Sequence, residues 1–178
     1  MTEYEAVIGL ETHIQLNTKT KVFCSCKADS WFDDPNTNIC PVCCGLPGVL
    51  PVLNKAVVEK ATLLANAMHS EIRPISYFDR KNYFSPDLPK GYQISQFDQS
   101  IGKGGYLDLP VPANASPDKQ AYIRRVGIWK MHIEEDAGKT KTAGNRRLID
   151  FNRCGVPLVE MVTAPDLRTA DEAAQYLT

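Results

Sequence analysis

Residues 18–53 carry five of the six cysteines and show no apolar periodicity, while Pro35, Pro41, Gly45, Pro47, Gly48 and Pro51 interrupt any regular element. So long a stretch with so little to bury needs another source of order. Cys24-Ser25-Cys26 and Cys40-Pro41-Val42-Cys43 are separated by thirteen intervening residues, a CxC…CxxC arrangement whose two short chelating pairs supply four thiolates for one tetrahedral zinc ion. Zinc binding would then fold the loop. Four-thiolate sites are closed, so the metal is expected to shape the protein and not to react. Reduced, unligated cysteines are the plain alternative; a redox CxxC is disfavoured because no βαβ pattern surrounds it. Cys44 and Cys154 are left as ordinary thiols. The start MTEYEAVIGLETH lacks the basic and apolar regions of a signal peptide and no apolar run approaches a membrane span, so disulfides are not expected and a cytosolic setting is.

Around this loop the chain alternates. Tyr4, Ala6, Ile8, Leu10, Ile14 and Leu16 share one parity, and Glu5, Glu11, His13 and Gln15 the other, predicting a strand over 4–16 with Glu11 and His13 on its polar face. Asn54 is a suitable cap for a helix to about residue 69, with Val57, Ala61, Leu64 and Met68 inward. Residues 78–99 read as an ordered loop between short strands, and residues 102–118 as a turn or surface excursion. Strands are predicted over 122–135 and over 147–152 continuing into 156–162. Thr169 and Glu172 form a capping box whose helix has only reached Thr178 at the last residue, so residues 1–178 are expected to be the N-terminal part of a longer domain, with 18–53 as a zinc loop within it.

The expected class is therefore α+β, a largely antiparallel sheet platform with packed helices and a small four-cysteine loop. The 20 basic residues against 21 acidic ones leave a net charge of −1, which excludes a global field for nucleic acid, so any RNA contact must be local. Glu11, His13, His132, Glu134, Glu135, Asp136, Asp150 and Glu160 fall on several strand candidates. Adjoined in one sheet they could hold Mg²⁺ beside substrate phosphates; scattered, they are a solvated face. Glu134 and Glu135 must point to opposite faces, and periodicity alone does not say which points inward. Asp79-Arg80-Lys81-Asn82-Tyr83-Phe84, with Gln93 and Gln96 downstream, offers cations for phosphates and rings for a base or ribose, or is simply a polar loop. Neither a P-loop nor a GxGxxG fingerprint is present.

The strings VIGLETHIQL, CSC…CPVC, GLPGVLPVLN, FDRKNYFSPDLPKGYQISQFDQ, HIEEDAGK and DFNRCGVPLVEMVTAPDLR closely resemble the catalytic region of the B-type subunit of the glutamyl/aspartyl-tRNA amidotransferases, a family shared with the archaeal E-type subunit. The resemblance covers nearly the whole chain. It implies a glutamine synthetase-like cradle and a carbon–nitrogen ligase with glutamine as amido donor: ATP phosphorylates the side-chain carboxylate of glutamate mischarged on tRNA(Gln), or aspartate on tRNA(Asn), and ammonia displaces phosphate. Ammonia would come through a channel from an amidase subunit, a small third subunit would complete a heterotrimer, and a helical tail beyond this chain would help hold tRNA. The setting would be the bacterial cytoplasm or an organellar matrix or stroma.

Carried over by motif, Glu11, His13, Glu135 and Glu160 are the expected Mg²⁺ ligands or their immediate support, with Glu134 a second-rank candidate. Lys81 and Tyr83 would meet phosphates or the acceptor end. Asp150 and Asn152 would position ligands or the aminoacyl group, and Arg80 and Gln93 would line the nucleotide site. Cys24, Cys26, Cys40 and Cys43 are the expected zinc ligands. The competing reading is a noncatalytic zinc-bearing tRNA-binding or assembly module, which would gain nothing from grouping acids beside phosphates. Residues 1–178 alone are expected to be inactive.

Overall fold

The computed structural model describes residues 4–116 and 118–178. Ten strands and two α-helices follow in the order β1 (Glu11–Gln15), α1 (Lys55–Ala67), β2 (Glu71–Ile72), β3 (Asp79–Asn82), β4 (Tyr92–Ser95), β5 (Gly102–Lys103), β6 (Tyr106–Val111), β7 (Tyr122–Glu135), β8 (Lys139–Ala143), β9 (Arg146–Asp150), β10 (Pro157–Thr163) and α2 (Ala170–Tyr176). The main sheet runs β1-β10-β7-β5-β2, with β6 also paired to β7, and every pairing is antiparallel. β3–β4 and β8–β9 form separate two-stranded ribbons. The α+β, antiparallel expectation holds.

β7 organises the sheet because it is the longest strand and its inner half is buried from Met131 to Glu135. Its Met131 and Ile133 stand beside Met161 and Val159 of β10, and Ile14 of β1 continues the row. These residues meet Val57, Ala61 and Ala65 of α1 to form the principal core. Each large aliphatic side chain so removed from water contributes about 1.5–3 kcal/mol. Asn54 caps α1 by accepting from the Ala56 amide at 2.9 Å, and the helix stops at Ala67, shortly before His69 turns into the left-handed region at φ 56°.

Three sequence expectations need correction. The first strand is only Glu11–Gln15; before it Ile8 makes an isolated bridge to Leu167, and Leu10 exchanges hydrogen bonds with the Thr163 amide and side-chain hydroxyl. Residues 102–118 are not merely a surface excursion: they contain β5 and β6, and the turn between them passes so close to α1 that a Cβ on Gly105 (φ 110°) would lie 2.4 Å from the Met68 carbonyl oxygen. β8 is a strand that no hydrophobic alternation marks, since all five of its residues are exposed.

A second small core, Leu109, Val111, Val126 and Leu167, lies where β6 and β7 approach α2. The Thr169–Glu172 capping box forms as expected. Glu172 is fully buried and also accepts from Tyr122 Oη at 2.5 Å, Arg124 Nε at 2.8 Å and the Arg168 amide at 2.6 Å. Burial would raise its pKa, but these donors prevail and hold it at about 2. A depressed carboxylate stabilises the fold above its unfolded value and loses that contribution as pH falls toward 2. Glu172→Gln is expected to cost about 3 kcal/mol at neutral pH, as for a broken buried pair, and to flatten the acid limb of stability between pH 4.5 and 2, measured by urea unfolding across that range.

Candidate functional site

One face of the sheet is the core; the other carries the polar residues. Register places His13 of β1 opposite Glu160 of β10, and Glu160 opposite His132 of β7, while Glu134 stands opposite Leu158 two residues along on the same face. His13 Nε2 lies 2.8 Å from Glu134 Oε1 and 3.6 Å from Glu160 Oε2. His132 Nε2 lies 3.1 Å from Glu160 Oε2 and 3.5 Å from Glu134 Oε2. The Glu134 and Glu160 side chains are 3% and 12% exposed, against 51% for His13, so the cluster is a buried acidic floor with an imidazole at its rim.

His13, Glu134 and Glu160 line a groove of about 500 Å³ that also takes in Glu11, Lys81, Tyr83, Gln93, Asp136 and Arg153, with His132 buried behind them. Burial alone would lower the His132 pKa, but its hydrogen bonds with Glu134 and Glu160 raise it overall; reciprocally, the bond from His132 holds Glu160 at about 2 against its own burial, helped by His13 and Lys81. Tyr83 is pushed up by burial and then by Asp87, Glu134, Glu135 and Asp136, so its hydroxyl stays a neutral donor. His13, Glu134 and Glu160 each present one ligand atom within 4.8 Å of the others. One imidazole and two carboxylates, with open groove in front, suit a divalent cation that keeps water or substrate oxygens in its remaining positions.

Glu11, His13, Glu160, Lys81, Tyr83, Gln93 and Glu134 are thus brought together. Glu135 is not. Strand alternation turns it to the core face, where it is 3% exposed, accepts from the Ile94 amide at 3.0 Å and is paired with Lys90. Arg80 also points away from the groove: paired across to Ile94 in the β3–β4 ribbon, it stacks over Tyr92 with 5.0 Å to the ring centroid, whereas its neighbour Lys81 pairs with Gln93 and faces inward. Asp136, one of the acids expected to gather, lines the groove, as do Arg153 and Gln15, which were not singled out; the ion pair of Arg153 with Asp136 joins two strings, HIEED and NRCG, whose contact no local pattern encodes.

Asp150 and Asn152 lie outside this groove and fasten the cysteine loop instead. Asp150 Oδ1 accepts from the amides of Asn36 at 3.1 Å and Asn152 at 3.0 Å. Asn152, buried in the 3-10 turn Phe151–Arg153, accepts from the Asn38 amide at 2.9 Å and donates to the Asp34 carbonyl at 2.9 Å. The loop they hold brings Cys24, Cys26, Cys40 and Cys43 together with all four sulfurs within 4.8 Å of one another. The hydrogen bond with Cys24 draws the Cys43 thiol down to about 4, while burial raises Cys26 to about 11 and the bond with Cys43 raises Cys24 further still.

Lys21 supplies an independent test of that donor set. Its side chain is fully buried, with Nζ 3.0 Å from the Asn38 carbonyl and 3.8 Å from Cys43 Sγ. A buried ammonium demands negative charge beside it, and metal-bound thiolates meet that demand. The four cysteines fit zinc on this count. Chelation of the bound metal, or Cys40→Ser with Cys43→Ser, is expected to raise amide hydrogen exchange across residues 18–53 by at least about tenfold, with little change in α1 or β7, as followed by mass spectrometry.

The α+β domain thus carries a carboxylate–imidazole groove on its sheet and a four-cysteine knuckle at its side, two groups that could each hold a metal ion. Residues 6–178 match the family described as the GatB/GatE catalytic domain. The chain is 52% identical, over 99% of its length, to the B-type subunit of the aspartyl/glutamyl-tRNA(Asn/Gln) amidotransferase of Carboxydothermus hydrogenoformans, and covers 36% of that protein. Its identity to the corresponding Synechocystis protein is 54% over 98% of this chain and 36% of the relative. For the B-type subunit of the chloroplastic/mitochondrial glutamyl-tRNA(Gln) amidotransferase of Physcomitrium patens it is 54% over 98% of this chain and 31% of the relative. The chain belongs to the GatB/GatE catalytic-domain family. It spans about a third of the length of these relatives.

Proposed function

We propose that this domain phosphorylates the side-chain carboxylate of an aminoacyl-tRNA with ATP and then carries its amidation by ammonia, as part of a glutamine-dependent tRNA amidotransferase. The convergence of His13, Glu134 and Glu160 at the floor of an open groove carries this reading. The names of the relatives and the family's catalytic domain support the substrate and the reaction class.

In this reading His13, Glu134 and Glu160 hold Mg²⁺, with Glu11 beside them on the same face. The metal would neutralise phosphate oxygens so that two anions, ATP and a carboxylate, can approach in line. The chain's own groups do the rest. Lys81 brings a positive charge to the rim, Tyr83 offers a neutral hydroxyl to a phosphate or ribose oxygen, and Gln93 is held in place by donating to the Glu135 carbonyl at 2.7 Å. His132 keeps Glu160 ionised and ready to ligate. Glu135 belongs to the frame: its pairing with Lys90 and the Ile94 amide locks β4 against the end of β7. A platform of the glutamine synthetase type, an amidase subunit that delivers ammonia, a small third subunit and a bacterial or organellar setting complete the proposal.

Glu134→Gln in the full-length assembly is expected to lower Mg²⁺-dependent ATP cleavage by about 10²-fold, the scale of a lost group that stabilises developing charge, without shifting the unfolding midpoint. Glu135→Gln should instead cost about 3 kcal/mol of stability, since it strands Lys90 in a buried position. Retention of full ATP cleavage by the Glu134 variant would remove the metal floor from the mechanism and leave a binding module.

A further inference from the structure

The two imidazoles at the floor of the carboxylate groove differ in access. His13 lines the groove with half of its side chain exposed, whereas the His132 side chain is 6% exposed and sits behind it. A cation entering from solvent therefore meets His13, Glu134 and Glu160, whose ligand atoms lie within 4.8 Å of one another, and does not meet His132. Strand register nonetheless sets His132 of β7 directly opposite Glu160 of β10, and two residues before Glu134 on the same face.

The His132 ring touches both glutamates through one atom. Nε2 lies 3.1 Å from Glu160 Oε2 and 3.5 Å from Glu134 Oε2, and Oγ of the buried Ser95 on β4 stands 3.5 Å from that same Glu134 oxygen. Each carboxylate is thus held by one oxygen from the back. Glu134 keeps its other oxygen for the groove, where His13 Nε2 meets it at 2.8 Å. Nδ1 of His132 is buried and has no hydrogen-bond partner among the described residues, so the polar contacts of the ring all run through Nε2. A side chain kept only to fill this space would be better as a hydrocarbon, because a buried nitrogen without a partner costs stability.

A free glutamate side chain samples several rotamers, and freezing two of them at once opposes metal binding. Ligands already held by hydrogen bonds avoid that loss, and the groups that hold them are commonly worth about 10–100-fold in metal affinity. We infer that His132 is a positioning residue for a divalent cation: through Nε2 alone it presets Glu160 and Glu134 side by side, so that they and His13 converge on one point of the groove. That role rests on the metal-dependent reading of the groove and specifies how its affinity is set.

The test uses the full-length protein with its copurifying subunits, without ATP or tRNA, and the probe is Mn²⁺, titrated by electron paramagnetic resonance. Glu134→Gln identifies the floor site as the Mn²⁺ binding that this variant loses. His132→Gln puts an amide nitrogen where Nε2 stands, and His132→Asn puts one where Nδ1 stands, one bond short of the carboxylates. The Asn variant is expected to bind Mn²⁺ at the floor about 10–100-fold more weakly, and the Gln variant to stay within about threefold of the unaltered protein. His132→Phe, which keeps a ring without a donor, should behave like the Asn variant and carries the comparison with Gln if Asn fails to fold. Equal affinities in the Gln variant and in the Asn or Phe variant, whether all weakened or all unchanged, would overturn the inference alone and assign the ring to packing. Mn²⁺ binding that is indifferent to Glu134→Gln would overturn the metal-dependent reading, and the role of His132 with it.

Discussion

Everything in this domain depends on the two-residue period of β7. β10 pairs with its inner half throughout, and the pair sorts side chains: Met131, Ile133, Val159 and Met161 toward α1, His132, Glu134 and Glu160 to the opposite face, where Glu134 and Glu160 line the groove. The apolar set fixes register, because a slip by one residue would drive two carboxylates and an imidazole into the core. The same hydrophobic burial that stabilises the sheet therefore holds the carboxylates of β7 and β10 in position, and His13 is aligned with them by the pairing of β1 to β10. A rigid floor is what a metal-assisted phosphoryl transfer needs, since its catalysis lies in positioning and charge compensation.

The end of β7 shows how one strand serves two ends with adjacent acids. Glu134 and Glu135 are both almost wholly buried, yet Glu134 meets imidazoles on the groove side and Glu135 meets Lys90 and a backbone amide on the core side. Each buried charge has its own partner, without which burial would be prohibitive. Since Gln93, which lines the groove, donates to the Glu135 backbone carbonyl, the structural acid also sets the position of a groove wall.

What could be read in advance follows the range of the interactions involved. The Asn54 cap, the Thr169–Glu172 capping box and the bounds of β7 depend on residues within a few positions of one another, and each was legible. The grouping of GLETH, HIEED and PLVEMV on one sheet was legible once alternation was combined with the resemblance. The choice of Glu134 over Glu135 was not, because parity needs to know which face α1 covers. Asp150 and Asn152 were expected near substrate, but their partners Asn36 and Asn38 lie 114 positions earlier, a separation no local pattern spans. β8 is polar on both faces, so periodicity was silent there.

The cysteine loop then has a mechanical part. It lacks a core of its own: Val22 and Phe23 anchor it in the principal core, the four sulfurs gather one end, and Asn36, Asn38 and Asp34, bound to the 149–152 segment, hold the other. Lys21 lies between, touching Cys43 and the Asn38 carbonyl, and its stem packs close to Gly155, just before β10 begins. The knuckle, whose four cysteines could hold a metal ion, thus braces the segment from which β10 carries Glu160 into the sheet. It can tune the groove without entering it.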